Sequence, residues 1–402
     1  MELSSQAPTL VGTNGPLAAA RRVTAGVFAA QGAAIAAVYT TVPSVQQHLG
    51  LSSTVTTAVM FGVALAAGAG SFAGLAAVRA LGVIATMRCA LLLGAVAMLI
   101  IGWAPDPMTA VCAYLLFGVV IGGIDVSVNT RAAAIERAYG GSVFVSFYAF
   151  WSVGGIAAAL LTSGLVRLGW PTAHVLTLQA GLVLVLAATI RSHAVAGPPT
   201  AGAADAEAGP LRRGAWTRLL PLGLVLLIVF VIDSTVSAWS TVYLHQTLAA
   251  SLATAPLAYA AYQTGTVTGR IGADHLIRRA GPIAVVRLAA LLTAGALIAL
   301  AAVPSWPFAI PAAGLTGLGV AVLAPLCLAS AGRLQPDSTE AVLARLNLFN
   351  YAGLVGGSVA SGILGSSGHF RLAYAIPALL ALVPLLVVRA FAYPLQGRGR
   401  AS

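Results

Sequence analysis

Twelve stretches of mostly apolar residues, each about as long as a bilayer-crossing helix, fill most of this chain. They are 23–45, 54–78, 83–104, 108–130, 143–166, 171–190, 219–243, 253–273, 282–303, 307–331, 341–365 and 372–394. A hydrocarbon core ~30 Å thick asks for ~20 such residues per span. No water reaches backbone N–H and C=O groups there, so each span must pair them internally, as a helix. Composition agrees: 59% of the residues are hydrophobic and 8% charged, where soluble domains carry roughly 25% charged residues. The expected fold class is an all-α membrane protein with twelve transmembrane helices.

The arginines give the direction. All 21 basic residues are arginine, and with the amino terminus inside, 19 of them, Arg270 included, fall at inner ends or loops. Only Arg167 and Arg371 fall outside. Basic residues accumulate on the cytoplasmic side of membrane proteins, so both termini are expected in the cytoplasm of a bacterial cell, with the inner membrane as the site. The net charge of +11 then reflects topology and does not call for nucleic acid. Cys89, Cys112 and Cys327 stand far apart in apolar segments, without disulfide or metal spacing. No metal or cofactor is expected. Residues 191–218 are rich in Ala, Gly and Pro and read as a disordered linker. This divides the chain into a cytoplasmic tail (1–22), a six-helix bundle (23–190), the linker, a second bundle (219–394) and a tail (395–402).

The two halves repeat at an offset near 200. AVYTTVPSVQQHL (37–49) lies over SAWSTVYLHQTLA (237–249), so that Tyr39 meets Trp239. Gly70-x-x-x-Gly74 lies over Gly265-x-x-x-Gly269, Arg88 over Arg287, Gly154-Gly155 over Gly356-Gly357, and Arg167 over Arg371. Small residues at such spacing let helix backbones approach closely. The fold is therefore read as two pseudo-symmetric six-helix bundles.

A six-plus-six parallel repeat joined by a cytoplasmic linker resembles the major facilitator superfamily (MFS). GRIGADHLIRRAG (269–281) is similar to that superfamily's loop signature, with Gly269, Asp274 and Gly281 in place and His275 where an arginine is usual. The first-half copy, GLAAVRALG (74–82), keeps Gly74, Arg79 and Gly82 but has Val78 at the aspartate position. By this resemblance Asp274 and Arg79 are candidates for an inner latch, weakened in the first half. Two stretches, 118–155 and 224–244, further resemble the YbjJ-like permeases related to the fucose-permease group. Tyr148 stands where that branch tends to have His, and Asp233 where it has Glu.

Spans 1, 5, 7, 8 and 11 place polar groups at mid-depth, while spans 3, 9 and 12 are nearly bare of them. At ~1.5 Å per residue, Gln31, Trp151, Gln263 and Asn350 fall near the midplane, with Tyr148, Tyr262 and Asn347 beside them. Substrates of such folds bind near the midplane between the repeats. Gln and Asn also serve as hydrogen-bond glue between membrane helices, and both readings stay open. Asp233 sits inside LVLLIVFVIDSTVSAWSTVYL (224–244). A charge at mid-bilayer costs at least ~2.5–3.5 kcal/mol and marks a substrate route or proton relay. The alternative is a structural bond to a hydroxyl one turn away, Ser237. Asp125, with Asn129 one turn on, is placed deep toward the cytoplasm, as an inner gate that pairs with a loop arginine or as a helix-packing pair. Glu136 and Arg137 read as loop charges.

The expected function is secondary active transport of a small organic solute by alternating access, with protons as a possible second partner, the lipid bilayer as surroundings and a monomer as the working unit. Export of a hydrophobic drug or metabolite is the alternative. Gly118 at the drug exporters' helix-4 arginine position, and Ser152-Val153-Gly154-Gly155 without the exporters' proline, count against it. A membrane sensor on the same scaffold would need an output surface that the sequence does not offer. An enzyme would need a nucleophile elbow, phosphate loop or metal cluster, and none is readable.

Overall fold

The computed structural model describes residues 15–139, 143–190, 215–334 and 339–391, and these form helices without a strand. The first half comprises α1 (Pro16–Leu49), α2 (Ser53–Leu81), α3 (Val83–Gly102), α4 (Pro107–Tyr139), α5 (Phe144–Arg167) and α6 (Thr172–Thr189). The second comprises α7 (Ala215–Gln246), α8 (Pro256–Ala302), α9 (Trp306–Val320), α10 (Leu323–Leu334), α11 (Thr339–Ser366) and α12 (Phe370–Leu380), with short turns at Val383–Leu386 and Val388–Phe391 beyond it. The side on which α1 begins is called here the starting face, and the opposite side the far face.

Span and helix do not match one to one. α8 carries the eighth and ninth spans as two limbs bent at Gly281. The tenth span is split into α9 and α10 at Ala321 and Val322. Pro325, four residues after Ala321, has no N–H to bond the Ala321 carbonyl, which accounts for the break. Ten described helices are long and apolar enough to cross a membrane, and Phe370–Leu386 adds a shorter apolar one. The first limb of α8 is not among the ten, because Gln263, Thr264, Thr266, Thr268 and Arg270 interrupt it. α1 begins at Pro16 rather than 23, and α7 at Ala215 rather than 219. The linker (191–214), the first 14 residues and the tail from 392 lie outside the described residues.

The repeat is visible in the backbone. Gly82, between α2 and α3, has φ 82° and ψ 159°, and Gly281, between the limbs of α8, has φ 77° and ψ 160°. Gly169 and Gly368, on the far side, have φ 82° and 80°. Each pair is 199 residues apart. A side chain at such φ meets its own backbone, which is why both copies of the signature loop end in glycine.

Helix approach follows the small residues. A Cβ on Gly70 would run into Val119 O of α4, and one on Gly74 would sit 2.6 Å from the Gly123 Cα. In the second half, Gly265 faces the Gly314 carbonyl of α9, and Gly269 faces Leu318 O at 2.6 Å. Gly154 of α5 lies on the Ala29 carbonyl of α1, and Gly357 of α11 on Val231 of α7. The structural match is therefore Gly154 with Gly357, one residue away from the sequence alignment. Gly356 meets nothing within 4 Å, and Gly155 instead faces Tyr259 of the other half. The close α2–α4 and α1–α5 packings thus recur as α8–α9 and α7–α11.

Candidate substrate site

The halves touch through α5 on α8, α2 on α11 and α1 on α7. Toward the far face this seam is bonded shut. Gln246 Nε2 donates to Gln46 Oε1 at 2.8 Å, and Gln47 Nε2 meets His245 Nε2 at 2.6 Å. Thr57 Oγ1 donates to Gly362 O at 2.9 Å, and Ser163 Oγ to Ala253 O at 2.6 Å. Trp239 is buried beside the same seam, its Nε1 donating to Ser358 O at 2.9 Å. At mid-depth Ser152 Oγ donates to Gln263 Oε1 at 3.0 Å. Toward the starting face the walls part. Tyr148 of α5 and Tyr351 of α11 are 37% and 48% exposed, although both lie within electrostatic reach of Asp125. The bundle is thus bonded at the far face, and the partly exposed Asp125, Asp233 and Arg270, with the exposed Tyr148 and Tyr351, put the cleft between the halves on the starting side.

One wall of the cleft is a relay of four side chains. Gln31 Nε2 donates to Asp125 Oδ1 at 3.3 Å, Asn129 Nδ2 donates to the same oxygen at 3.1 Å, and the Tyr148 hydroxyl donates to Asn129 Oδ1 at 3.3 Å. The Tyr148 ring leans on Phe28 and Phe144. The bond to Gln31 puts Asp125 at mid-depth, not deep toward the starting face as the sequence placed it. Its described partners are amides, and no described arginine bonds it. α4 continues to Tyr139, well past the apolar stretch, so distances counted from the span's end misplaced the acid.

The opposite wall is centred on Asp233. It accepts from the Tyr262 hydroxyl at 2.7 Å, not from Ser237, whose Oγ has no described partner. Tyr39 and Tyr259 stand within electrostatic reach of the same carboxylate. Residues 262, 266 and 270 are each one turn apart on one face of α8, and Thr266 donates to Gln263 Oε1 at 3.2 Å. The next turn brings Arg270, whose guanidinium reaches Ser152 Oγ at 3.5 Å and acts electrostatically on Asp233, Tyr262 and Tyr148. The arginine pattern puts Arg270 at an inner end; in the structure it lies 14 residues into α8, ~21 Å from the far end, within electrostatic reach of Asp233. The signal that could have found it is its spacing from Tyr262 and Gln263.

The remaining candidates are dispersed. The Trp151 carbonyl is the surface on which Gly32 of α1 packs. Asn350 is half-buried on α11, and Arg79 is exposed in the last turn of α2. The side chains of Asn347 and Asp274 lie outside the described ones, though both backbones are helical. Glu136 is no loop charge: its Oε2 accepts from the N–H groups of Val143 and Phe144 at 2.9 and 2.8 Å, capping α5.

Comparison with known proteins is consistent with this architecture. The chain is similar to an uncharacterised MFS-type transporter of Yersinia pestis, 28% identical over 286 residues, which are 71% of this chain and 73% of the relative. Its fold is similar to that of the nucleoside transporter NupG, with a TM-score of 0.70 and 13% identity over 94% of this chain and 100% of NupG. It is also similar in fold to the E. coli fucose:proton symporter FucP, with a TM-score of 0.61 and 15% identity over 92% and 98% of the two chains. Residues 23–312 match the sequence profile of the Major Facilitator Superfamily. With that match over the whole first bundle and about half of the second, and with the helical repeat, this chain belongs to the Major Facilitator Superfamily and is a membrane transporter.

Proposed function

We propose that the protein couples movement of a small organic solute to movement of a proton, with Asp233 as the proton carrier. The observation that carries this is the Asp233–Tyr262 bond beside Arg270, at mid-depth in the seam between the halves. An acid there, exposed to one side at a time, is what a proton-coupled rocking transporter needs. The Gln31–Asp125–Asn129–Tyr148 wall offers hydrogen bonds to the solute. Gln263, Asn347 and Asn350 are assigned to the same cleft, and Asp274 and Arg79 to the latch on the starting face. By the distribution of arginines the starting face is cytoplasmic and the membrane is the bacterial inner membrane. The cleft then opens inward. On the stretches 118–155 and 224–244, its closer kin are read as the YbjJ-like, fucose-permease-related branch.

The test is transport in proteoliposomes. An imposed proton gradient drives uphill accumulation by the wild type, whereas Asp233→Asn keeps solute exchange and loses accumulation. Equal gradient-driven accumulation in the two proteins removes Asp233 from the coupling. Export of bulky apolar compounds is favoured by the exposed ring of Tyr148, which stands beside Phe144. It is distinguished by which compounds are carried.

A further inference from the structure

We infer that the transported solute is an organic anion whose carboxylate binds Arg270. This rests on the transport reading above and adds the substrate class to it.

Among the described residues, Arg270 has no carboxylate paired with it, and Asp233 acts on it only electrostatically. Its one described hydrogen bond is a 3.5 Å contact with the neutral Ser152 hydroxyl. No described carboxylate sits at ion-pair distance from it. Asp233, the nearest candidate, gives its Oδ1 to Tyr262. Asp125 is held by Gln31 and Asn129 on the other wall. An arginine at membrane depth is costly unless it pairs or reaches water. Residual exposure to the cleft meets part of that cost, and a bound anion would meet the rest. Guanidinium presents a planar fork of N–H donors that matches a carboxylate with two bonds.

A second donor points the same way. Gln263 is 1% exposed, and its Oε1 is taken by Ser152 and Thr266. Its Nε2 lies next to the Tyr259 hydroxyl, and neither group has a further partner among the described residues. A buried donor left unmade costs ~1–3 kcal/mol, and a carboxylate bound at Arg270 would accept from it. Arg270 and Gln263 are linked through Ser152 and offer N–H donors in one place.

The charge balance then gives the order of events. With both acids ionised and Arg270 charged, these three groups sum to −1, which repels an anion. A proton taken up on Asp233 brings the sum to zero and removes the negative charge that acts on Arg270, while Asp125 stays on the other wall. Proton and anion therefore bind together, and the pair crosses as a neutral load.

The test uses matched probes of similar size: gluconate with sorbitol, galacturonate with galactose, and benzoate with benzyl alcohol. Purified wild type, Arg270→Gln and Arg270→Lys are compared by thermal shift, with monodispersity as the check on folding, and hits go to exchange assays in proteoliposomes. The expected result is stabilisation of the wild type by acids and not by their neutral partners, strongest in acidic buffer. Apparent affinity falls tenfold or more in Arg270→Gln and is partly restored in Arg270→Lys. If no acid outperforms its neutral partner, or if Arg270→Gln binds the acids as wild type does, the anion site is overturned. Neutral hits carried by wild type and Arg270→Gln alike would leave transport standing without it. Hits that bind but give no flux in any of the proteins would overturn transport itself.

Discussion

The Tyr262 hydroxyl donates to Asp233 Oδ1 at 2.7 Å and joins α8 to α7 at membrane depth. Tyr262 is fully buried, so its hydroxyl has no water to turn to. Tyr262→Phe leaves the carboxylate without this donor, and the expected loss is about 1–3 kcal/mol, read as a lower thermal midpoint in detergent. Asp233→Asn keeps an acceptor for Tyr262 and is expected to melt within a few degrees of wild type. If Tyr262→Phe melts with the wild type, the bond is not a stabilising one.

The glycine contacts make a paired prediction. Gly265→Ala drives a methyl into the Gly314 carbonyl, whereas Gly356→Ala meets nothing within 4 Å. Overpacking costs ~1–3 kcal/mol, while alanine for glycine within a helix gains ~1 kcal/mol. Gly265→Ala is therefore expected to lower the melting temperature, and Gly356→Ala to leave it unchanged or raise it. Thermal melts of the two variants side by side check the sign of each.

The far-face seam can be locked. In a background without the three native cysteines, Gln46→Cys and Gln246→Cys replace two side chains that touch across the halves. A short bismaleimide is expected to join them and stop exchange, and cleavage of a reducible linker of the same length restores it. Full exchange in the joined protein would mean that this seam does not open during transport.

Asp106, in the loop before α4, predicts a pH dependence outside the membrane. Its carboxylate accepts from the Thr109 hydroxyl at 2.7 Å and from the Thr109 N–H at 3.0 Å, and these bonds hold it below the usual carboxylate range. A carboxylate held low stabilises the fold above its unfolded-state range, and that contribution fades as pH falls through the folded value. Asp106→Ala is thus expected to melt below wild type at neutral pH, with the gap closing in acid. A gap that widens in acid contradicts the cap.

Much of this was legible in the sequence. Span number, the two-fold repeat and the mid-depth positions of Gln31 and Gln263 follow from apolar length and rise per residue, and the described helices agree. The repeat glycines at 82 and 281 were readable because their backbone conformation excludes other residues. Depth counted from span ends failed for Asp125 and Arg270, because α4 and α8 run on past the apolar stretch. Partner choice was not readable either. Whether Asp233 bonds Ser237 on its own helix or Tyr262 on the next depends on the rotation of α7 against α8, which hydropathy does not encode. Glu136 looked like a loop charge because its partners are backbone N–H groups seven and eight residues on.

Coupled transport requires a bundle that opens to one face at a time. Spin labels on Gln47→Cys and Thr247→Cys report the far face, and labels on Leu81→Cys and Arg279→Cys the starting face. Double electron–electron resonance on these pairs, in wild type and in Asp233→Asn, measures both distances. The expected result is a short far-face distance in alkaline buffer. Acidification, or Asp233→Asn alone, then shifts part of the population to a longer far-face and a shorter starting-face distance. Distances that stay fixed under every condition, or that lengthen together at both faces, would contradict alternating access about this site.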